Sequence, residues 1–187
     1  MRSGLGSLIY SKTNFPLERR RSKMLVLGVD PGAVNVGYAF LEDGVLVKAG
    51  LFSPTFKETT LNGKTIEGMV ALRNFLDKAE EKIGHIDAIA VERVPTQHMG
   101  QRDRILGTEN FLRSFAILGE RKYKEYAAVS VKKFVTGNYR ASKDEVRQSV
   151  SEIFNLKEER GVKPDVFDAI AIAYTGFKEG EWDEFTR

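Results

Sequence analysis

Three short apolar runs follow one another near the start of the chain, separated by turn-forming residues. The first two strands are predicted by apolar, strand-favouring residues over 24–30, MLVLGVD, and over 36–42, VGYAFLE. Residues 43–53 begin with an Asp-Gly hairpin signal and predict a third strand. Because only tight turns join these strands, they indicate an antiparallel meander, and the polar residues 54–64 predict a connection after it.

Helical and strand-like patterns alternate further along the chain. Residues 65–84 place apolar side chains at spacings of three and four before a terminal glycine, which predicts an amphipathic helix, and residues 103–119 predict a second one. Short apolar runs over residues 86–92 and 126–131 predict a fourth and a fifth strand. A short turn of helix is expected over KKFVTG, residues 132–137.

The last third of the chain is predicted to be helical. Residues 142–156 open with a capping box, in which Ser142 is followed three residues later by Glu145. Residues 164–177 predict a final helix with Pro164 at its first position, where the fixed φ of proline suits a helix. The apolar side chains that we expect to pack inward from this helix are Ala169, Ile170, Ala173 and Tyr174. The order of elements predicts an α/β fold: a mixed five-stranded sheet, three antiparallel strands followed by parallel additions, with helices on both faces.

Composition limits the class of protein. A chain of 187 residues with 42% apolar residues can bury one sizeable core, so we expect one domain over residues 24–180 and a tail over residues 181–187. No run approaches the roughly 18 apolar residues of a membrane span. The absence of cysteine excludes disulfides, thiolate metal sites and thiolate nucleophiles, so any metal must be bound by oxygen or histidine.

Positive charge is concentrated at the start of the chain. Residues 1–23 hold six Lys/Arg and one acid, which leaves the other 164 residues close to −2 although the whole chain is +3. This basic stretch lacks a periodic apolar face, and we expect a disordered extension there. A basic arm that touches DNA and an organelle transit segment are the alternatives.

Four carboxylates lie at the edges of apolar segments instead of on polar faces. Asp30 ends the first predicted strand and Glu92 ends the fourth, while Asp165 and Asp168 share one face of the first turn of the last helix. Taken singly, each has an ordinary explanation: a turn residue, a surface ion pair with Arg93, or acids that favour a helix N-terminus. Together they indicate acids that converge at one edge of the sheet.

Converging carboxylates repel one another unless cations neutralise them. All-oxygen ligation favours Mg²⁺, or Mn²⁺ in its place. Four acids can hold two such ions about 3.5–4 Å apart, which is the arrangement used for in-line attack of water on a phosphodiester. The acids therefore predict a metal site with two ions.

A family resemblance is carried by four motifs: LGVDPGAVNVGYAF, AIAVERV, EYAAVSVKKFVTGNYRASKDEVRQSV and PDVFDAIAIAYTG. In this order and spacing, residues 24–177 resemble the RuvC-type Holliday junction resolvases of the RNase H-like, or retroviral integrase, superfamily. The resemblance implies an RNase H-like fold, a homodimer, and Mg²⁺-dependent cleavage of four-way DNA junctions as a crossover junction endodeoxyribonuclease. It places the protein in the cytoplasm with the nucleoid, or in a virus; a transit segment over residues 1–23 would place it in an organelle.

The resemblance also implies roles for single residues. The acids that match those of the resolvase active site are Asp30, Glu92, Asp165 and Asp168. Lys143 matches a lysine held near that site, and we interpret it as a contact to phosphate or to transition-state charge, with a plain surface lysine as the alternative. Residues 121–147 hold eight Lys/Arg against three acids, which indicates either a DNA-gripping rim or a solvated charged face. The DNA contacts predicted in this region are Lys132, Lys133, Arg140, Lys143 and Arg147.

The chain departs from the resolvase pattern after Glu92. Resolvases carry an aromatic side chain there that wedges into the junction, whereas this chain offers Pro95, His98 and Met99. Apolar or flat residues can also open a base step. A less selective nuclease for flaps and forks therefore remains an alternative, as does a non-catalytic nucleic-acid-binding domain. A two-domain sugar kinase or Hsp70-like ATPase, which shares the first glycine-bearing motif, would need a longer chain.

A homodimer would match the substrate, because a four-way junction is approximately two-fold symmetric and needs two cuts. The second predicted helix is the expected contact, since it has more apolar area than one core-facing stripe requires. The apolar residues concerned are Ile105, Leu106, Phe111, Leu112, Phe115 and Leu118. The alternative is that this helix is buried within the domain.

Overall fold

A five-stranded mixed sheet forms the framework of the molecule. The computed structural model describes residues 23–32, 35–58, 60–93, 102–156 and 161–182, with the backbone alone for residues 102–104. The strands are β1 (Leu25–Pro31), β2 (Val36–Glu42), β3 (Val45–Phe52), β4 (Ala88–Glu92) and β5 (Lys122–Tyr126). They lie in the order β3-β2-β1-β4-β5; β1 to β3 pair antiparallel, and β4 and β5 are added in parallel. The predicted mixed sheet is thereby confirmed.

Five helices connect and cover the strands. They are α1 (Leu61–Ile83), α2 (Arg102–Leu118), α3 (Ala128–Thr136), α4 (Lys143–Phe154) and α5 (Pro164–Glu179). The predicted capping box of α4 is present, with the Ser142 side chain accepting from the Glu145 N–H, and Pro164 is the first residue of α5. None of the helices in the described part of the chain is long and apolar enough to cross a membrane.

The first helix begins one turn before its predicted start. Residues 61–64 were expected in a connection, but Thr60 caps the helix by accepting a hydrogen bond from the Gly63 N–H at 3.1 Å. The side chain of a threonine at this position satisfies one of the free N–H groups of the first turn. The cap therefore extends the helix through a polar segment that has no apolar periodicity.

The fifth strand lies earlier than predicted. The apolar run over residues 126–131 was expected to form it, but the strand is KYKEY and residues 128–131 begin α3. Only Tyr123 and Tyr126 of this strand are buried, because β5 is an edge strand with charged residues on its accessible positions. Lysine on an edge strand discourages pairing with another chain. An apolar pattern alone therefore gave the wrong boundary.

Two apolar cores lie on opposite faces of the sheet. On one face, α5 packs directly on the strands, and α3 and α4 pack against it. On the other face, α1 and α2 cover β1, β2 and β4 through buried residues such as Leu72, Leu76, Leu112 and Phe115. The helices on both faces agree with the prediction, and they leave the carboxyl ends of β1 and β4 at one edge of the layer.

Two strand glycines allow α5 to lie close to the sheet. A Cβ on Gly28 would lie 2.4 Å from the carbonyl oxygen of Ala169 and 2.4 Å from the amide nitrogen of Ala173. A Cβ on Gly37, which pairs with Asp30 across β1 and β2, would lie 2.2 Å from the carbonyl oxygen of Asp165. Because these neighbours are backbone atoms, a larger side chain would displace the helix.

We expect Gly28→Ala to lower the free energy of unfolding by about 1–3 kcal/mol, because the added methyl group overpacks the interface between β1 and α5. Gly68→Ala is the matched control: it lies inside α1, and its Cβ would meet only a phenylalanine ring atom at 3.5 Å. A helical glycine gains about 0.5–1 kcal/mol from this change. Urea denaturation compares the two, and a Gly28→Ala protein as stable as the wild type would contradict the close approach.

Candidate active site

The parallel alignment of β1 and β4 places Asp30 and Glu92 at the same edge of the sheet. Val29 pairs with Val91, so the next residues along the two strands are Asp30 and Glu92. Gly28 and Ala90, two residues earlier on the two strands, face α5. Because residues two apart on a strand point to the same face of a sheet, both acids also face α5. Both side chains are half-buried. The strands thus deliver two carboxylates beneath the start of α5.

The start of α5 delivers the other two acids. Asp165 is the second residue of the helix, and Asp168 lies in the second turn instead of the first turn where it was expected. Carboxylate oxygens of Asp30, Asp165 and Asp168 all lie within 4.8 Å of one another. Glu92 is outside this group of three but close enough to interact electrostatically with Asp30 and Asp168. We refer to these four residues as the acid cluster.

Burial and mutual repulsion make two of the acids weak. Loss of hydration, followed by the nearby charges of Glu92, Asp168 and Asp165, raises the pKa of Asp30 to about 7. Loss of hydration and the charge of Asp168 likewise raise the pKa of Glu92 to about 7. Carboxyl groups with such pKa values indicate that the protein supplies too little positive charge to balance the acid cluster.

Two lysines partly offset the negative charge of the acid cluster. Lys143, the first residue of α4, donates a hydrogen bond from Nζ to Oδ2 of Asp168 at 3.0 Å, and this bond raises the pKa of the lysine. Lys143 and Lys132, a residue of α3, both act to lower the pKa of Glu92. The structure therefore brings both predicted lysines to the site, Lys143 from the start of α4 and Lys132 from the middle of α3.

The other predicted DNA contacts are spread over the surface beside the site. Lys133 on α3 is exposed, and so is Arg140 in the loop between α3 and α4. Arg147 on α4 is half-buried, with its guanidinium 5.1 Å from the ring centroid of Phe167, so part of its role is packing. Arg121, also in the basic region, pairs with Glu80 at 2.9 Å beyond the opposite end of β5. The basic region is therefore not one continuous surface.

The predicted loop residues after Glu92 lie outside the described part of the chain; these are Pro95, His98 and Met99. The last described residue before these positions is Arg93, whose Nε lies 3.6 Å from Oε2 of Glu125. The basic extension also lies outside the described part, except for Lys23, and so does most of the predicted tail, residues 183–187. The predictions for these segments stay predictions.

The acid cluster fits a divalent metal. Its donors are carboxylate oxygens alone, three of them already gathered within 4.8 Å, which suits hard cations such as Mg²⁺ or Mn²⁺. The raised pKa values of Asp30 and Glu92 are the second observation, because a bound cation would favour the charged forms that burial and repulsion oppose. The residues that would hold it are Asp30, Asp165 and Asp168, with Glu92 facing the same space.

A five-stranded sheet of this topology with acids at the edge of its central strands defines the RNase H-like class, whose members include metal-dependent nucleases. The sequence matches the family model described as Crossover junction endodeoxyribonuclease RuvC over residues 26–176. The chain belongs to this family, and the predicted resemblance is confirmed.

Relatives and solved structures agree with this assignment. A crossover junction endodeoxyribonuclease RuvC from Sulfurovum sp. (strain NBC37-1) is 37% identical over 158 residues, covering 81% of this chain and 94% of that protein. The same enzyme of Helicobacter hepaticus is 35% identical over 160 residues, covering 81% and 82%. The Thermus thermophilus RuvC structure shares the fold with a TM-score of 0.68 at 21% identity, covering 85% of this chain and 98% of that one. A second structure shows T. thermophilus RuvC in complex with a Holliday junction substrate, with the same TM-score and coverage of 83% and 94%.

Sequence reasoning did not separate Lys132 from its neighbours or identify Gly37 as part of the site. Lys132 was grouped by charge alone with the other Lys and Arg of residues 121–147. The direction in which a helical side chain points depends on where the helix begins, and the start of α3 was not predicted. Gly37 carried a signal that was available: a glycine inside a strand marks a close approach of backbone. Its partner across the hairpin is Asp30.

The raised pKa values predict how the metal-free protein responds to pH. A carboxyl whose pKa is near 7 when folded and near 4 when unfolded binds its proton more tightly in the folded state, so stability falls as pH rises from about 4 to above 7. Asp30→Asn cannot ionise, and with chelator present we expect its melting temperature to exceed that of the wild type by at least about 2 °C at pH 8. At pH 4 the two should agree.

Asp77→Asn is the control for this measurement, because Asp77 is a surface carboxylate paired with Arg73 on α1. It should show no stabilisation at pH 8. Differential scanning calorimetry at the two pH values measures all three proteins. An Asp30→Asn protein that is less stable than the wild type at pH 8, or stabilised equally at pH 4, would contradict the electrostatic interpretation.

Proposed function

We propose that the protein is a Mg²⁺-dependent endonuclease that resolves four-way DNA junctions by paired symmetric nicks. The observation that carries the proposal is the gathering of Asp30, Asp165 and Asp168 at the edge of the sheet, in a chain of the crossover junction endodeoxyribonuclease family. The T. thermophilus protein of the same fold is described in complex with a Holliday junction. The two relatives named above are bacterial, which favours bacterial DNA in the cytoplasm over viral or organellar DNA as the substrate.

The acid cluster supplies the ligands for catalysis. We assign two Mg²⁺ ions to it, or Mn²⁺ as a substitute, which would activate water and offset charge on the cleaved phosphate. Asp30 and Glu92 are fixed by strands and Asp165 and Asp168 by a helix. Because these strands and this helix are packed against one another in the core, the carboxylates need little rearrangement to bind cations. This preorganisation is the contribution of the protein to the reaction.

Lys143 is placed to act on the phosphate. Its Nζ is held 3.0 Å from Asp168 while its side chain is 65% exposed, so the ammonium group faces both the acid cluster and solvent. A cation at this position can stabilise charge that develops on the phosphate oxygens in the transition state. Lys132 is also near enough to Glu92 to act on its charge, and Lys133 and Arg140 add exposed positive charge on α3 and the loop after it. These residues would grip the DNA backbone without reading its sequence.

We further propose a homodimer in which α2 forms the contact. Leu112 and Phe115 face the core, as the alternative of a buried helix requires. However, Ile117 is 47% exposed and Leu118 is 84% exposed, and Ile105, Leu106 and Phe111 are half-buried. A second copy would cover this apolar surface and place two acid clusters around one two-fold axis. One binding event could then deliver both cuts.

Removing one charge from the acid cluster should abolish most cleavage while sparing the fold. For Asp30→Asn, Glu92→Gln and Asp168→Asn, we expect nicking of a four-way junction in Mg²⁺ to fall by at least roughly 100-fold, with junction binding retained. Glu81→Gln is the control, because Glu81 is an exposed acid on α1 away from the site. Near-normal cleavage by two of the three variants would contradict the assignment.

The same assay decides between the junction resolvase and the less selective nuclease. A mobile four-way junction, a flap, a fork and linear duplex are compared with Mg²⁺, Mn²⁺ or Ca²⁺. A resolvase should cut the junction most efficiently and at paired positions. Equal cleavage of flap and junction would favour the debranching nuclease, and binding without any cleavage would favour the non-catalytic domain.

The dimer is tested by sedimentation at micromolar concentration. The wild type should sediment as a dimer of the 21.0 kDa chain, and Leu118→Glu should shift it toward monomer because the added charge would be buried in the contact. Ile66→Glu is the control, since Ile66 is 58% exposed on α1. A wild type that is monomeric with and without junction DNA, or that makes only unpaired nicks in a cruciform plasmid, would refute the dimer.

A further inference from the structure

Tyr139 is an exposed aromatic residue in the loop that joins α3 to α4. It is 54% exposed, whereas Tyr123 and Tyr126 are buried in the core. A single exposed apolar side chain is ordinary on a protein surface. The position of Tyr139 relative to the acid cluster, and the groups around it, are what distinguish it.

The loop leads directly into a contact with the acid cluster. Lys143, the first residue of α4 after the loop, donates a hydrogen bond from Nζ to Oδ2 of Asp168 at 3.0 Å. Tyr139 is four residues from Lys143, so their Cα atoms lie within about 14 Å of each other however the chain is arranged. Tyr139 therefore belongs to the stretch of chain that leads into the acid cluster.

Hydrogen bonds within the loop fix its shape. Thr136 Oγ1 accepts from the Asn138 N–H at 3.1 Å, and the side-chain oxygen of Asn138 accepts from the Arg140 N–H at 2.9 Å. The carbonyl of Asn138 accepts from the N–H of Ala141, which is fully buried and anchors the loop on the core. An aromatic side chain on such a loop loses little conformational freedom when it binds a partner.

A cationic group borders the ring: the guanidinium of Arg140 lies 5.2 Å from the ring centroid of Tyr139. Lys133, on the preceding helix, is also exposed. Proteins that hold unpaired nucleotides combine an accessible aromatic face, on which a base stacks, with cations that hold the neighbouring phosphates. The loop has both parts, beside carboxylates arranged for phosphodiester chemistry.

We infer that Tyr139 stacks on a base that is unstacked at the branch of the DNA, next to the phosphate that is cleaved. This inference rests on the proposed junction-cleaving function and adds a specificity-determining residue to it. In linear duplex every base already stacks on its neighbours, so the ring gains no partner there. Tyr139 thereby favours branched over linear DNA.

The first test measures affinity of the full-length protein for DNA with Ca²⁺ in place of Mg²⁺. Tyr139→Ala should bind a four-way junction about 5- to 100-fold more weakly than the wild type, and Tyr139→Phe, which keeps the ring, should bind within about twofold. Linear duplex should be bound equally by all three. Val129→Ala, which trims an equally exposed side chain on α3, is the matched control. An unchanged affinity of Tyr139→Ala for the junction would overturn the inference.

The second test identifies the partner of the ring. Junctions with a single abasic nucleotide near the branch are bound by wild type and by Tyr139→Ala. At one position, loss of the base should weaken the wild type and leave Tyr139→Ala unaffected. Equal losses for both proteins at every position would overturn the inference. If the wild type binds branched DNA and does not cut it in Mg²⁺, the proposed activity fails, and the abasic comparison still decides the role of Tyr139.

Discussion

The seating of α5 on β1 and β2 is the constraint on which the site depends. Gly28 and Gly37 leave room for helix backbone where any side chain would stand, with Cβ positions 2.4 and 2.2 Å from carbonyl oxygens of the helix. Only at this spacing do Asp165 and Asp168 reach the acid at the end of β1. The helix is correspondingly apolar, with buried side chains through most of its length. Burial of this apolar surface holds together carboxylates that would otherwise repel one another.

The acid cluster lowers the stability of the metal-free protein and at the same time concentrates the negative charge that binds cations. Half-burial and like charge raise the pKa of Asp30 and Glu92 to about 7, which opposes folding at neutral pH in the absence of cations. The same features leave a concentrated negative site ready for hard cations. Lys143 and Lys132 offset part of this charge. A metal that binds the folded state alone would restore the lost stability.

Sequence patterns predicted the sheet and the placement of acids at the ends of its elements well, because both follow local rules. A strand that ends in an acid, repeated in β1 and β4, predicts convergence once the two strands are parallel neighbours, and the capping box of α4 is a purely local signal. The boundary of β5 failed for the opposite reason. Residues 126–131 look like a strand by composition, yet the edge position goes to KYKEY, whose alternating tyrosines and charges suit a half-exposed place in the sheet. That choice depends on neighbours distant in sequence, and so does the facing of Lys132.

The order of the four acids along the sequence determines when the acid cluster can form. The acids of the cluster are residues 30, 92, 165 and 168, and the two on α5 follow all five strands in the sequence. During synthesis, β1 to β5 can leave the ribosome while α5 is still being made. A chain that lacks α5 therefore carries only Asp30 and Glu92 of the four acids. The acid cluster is complete only once α5 has docked on a sheet that already exists.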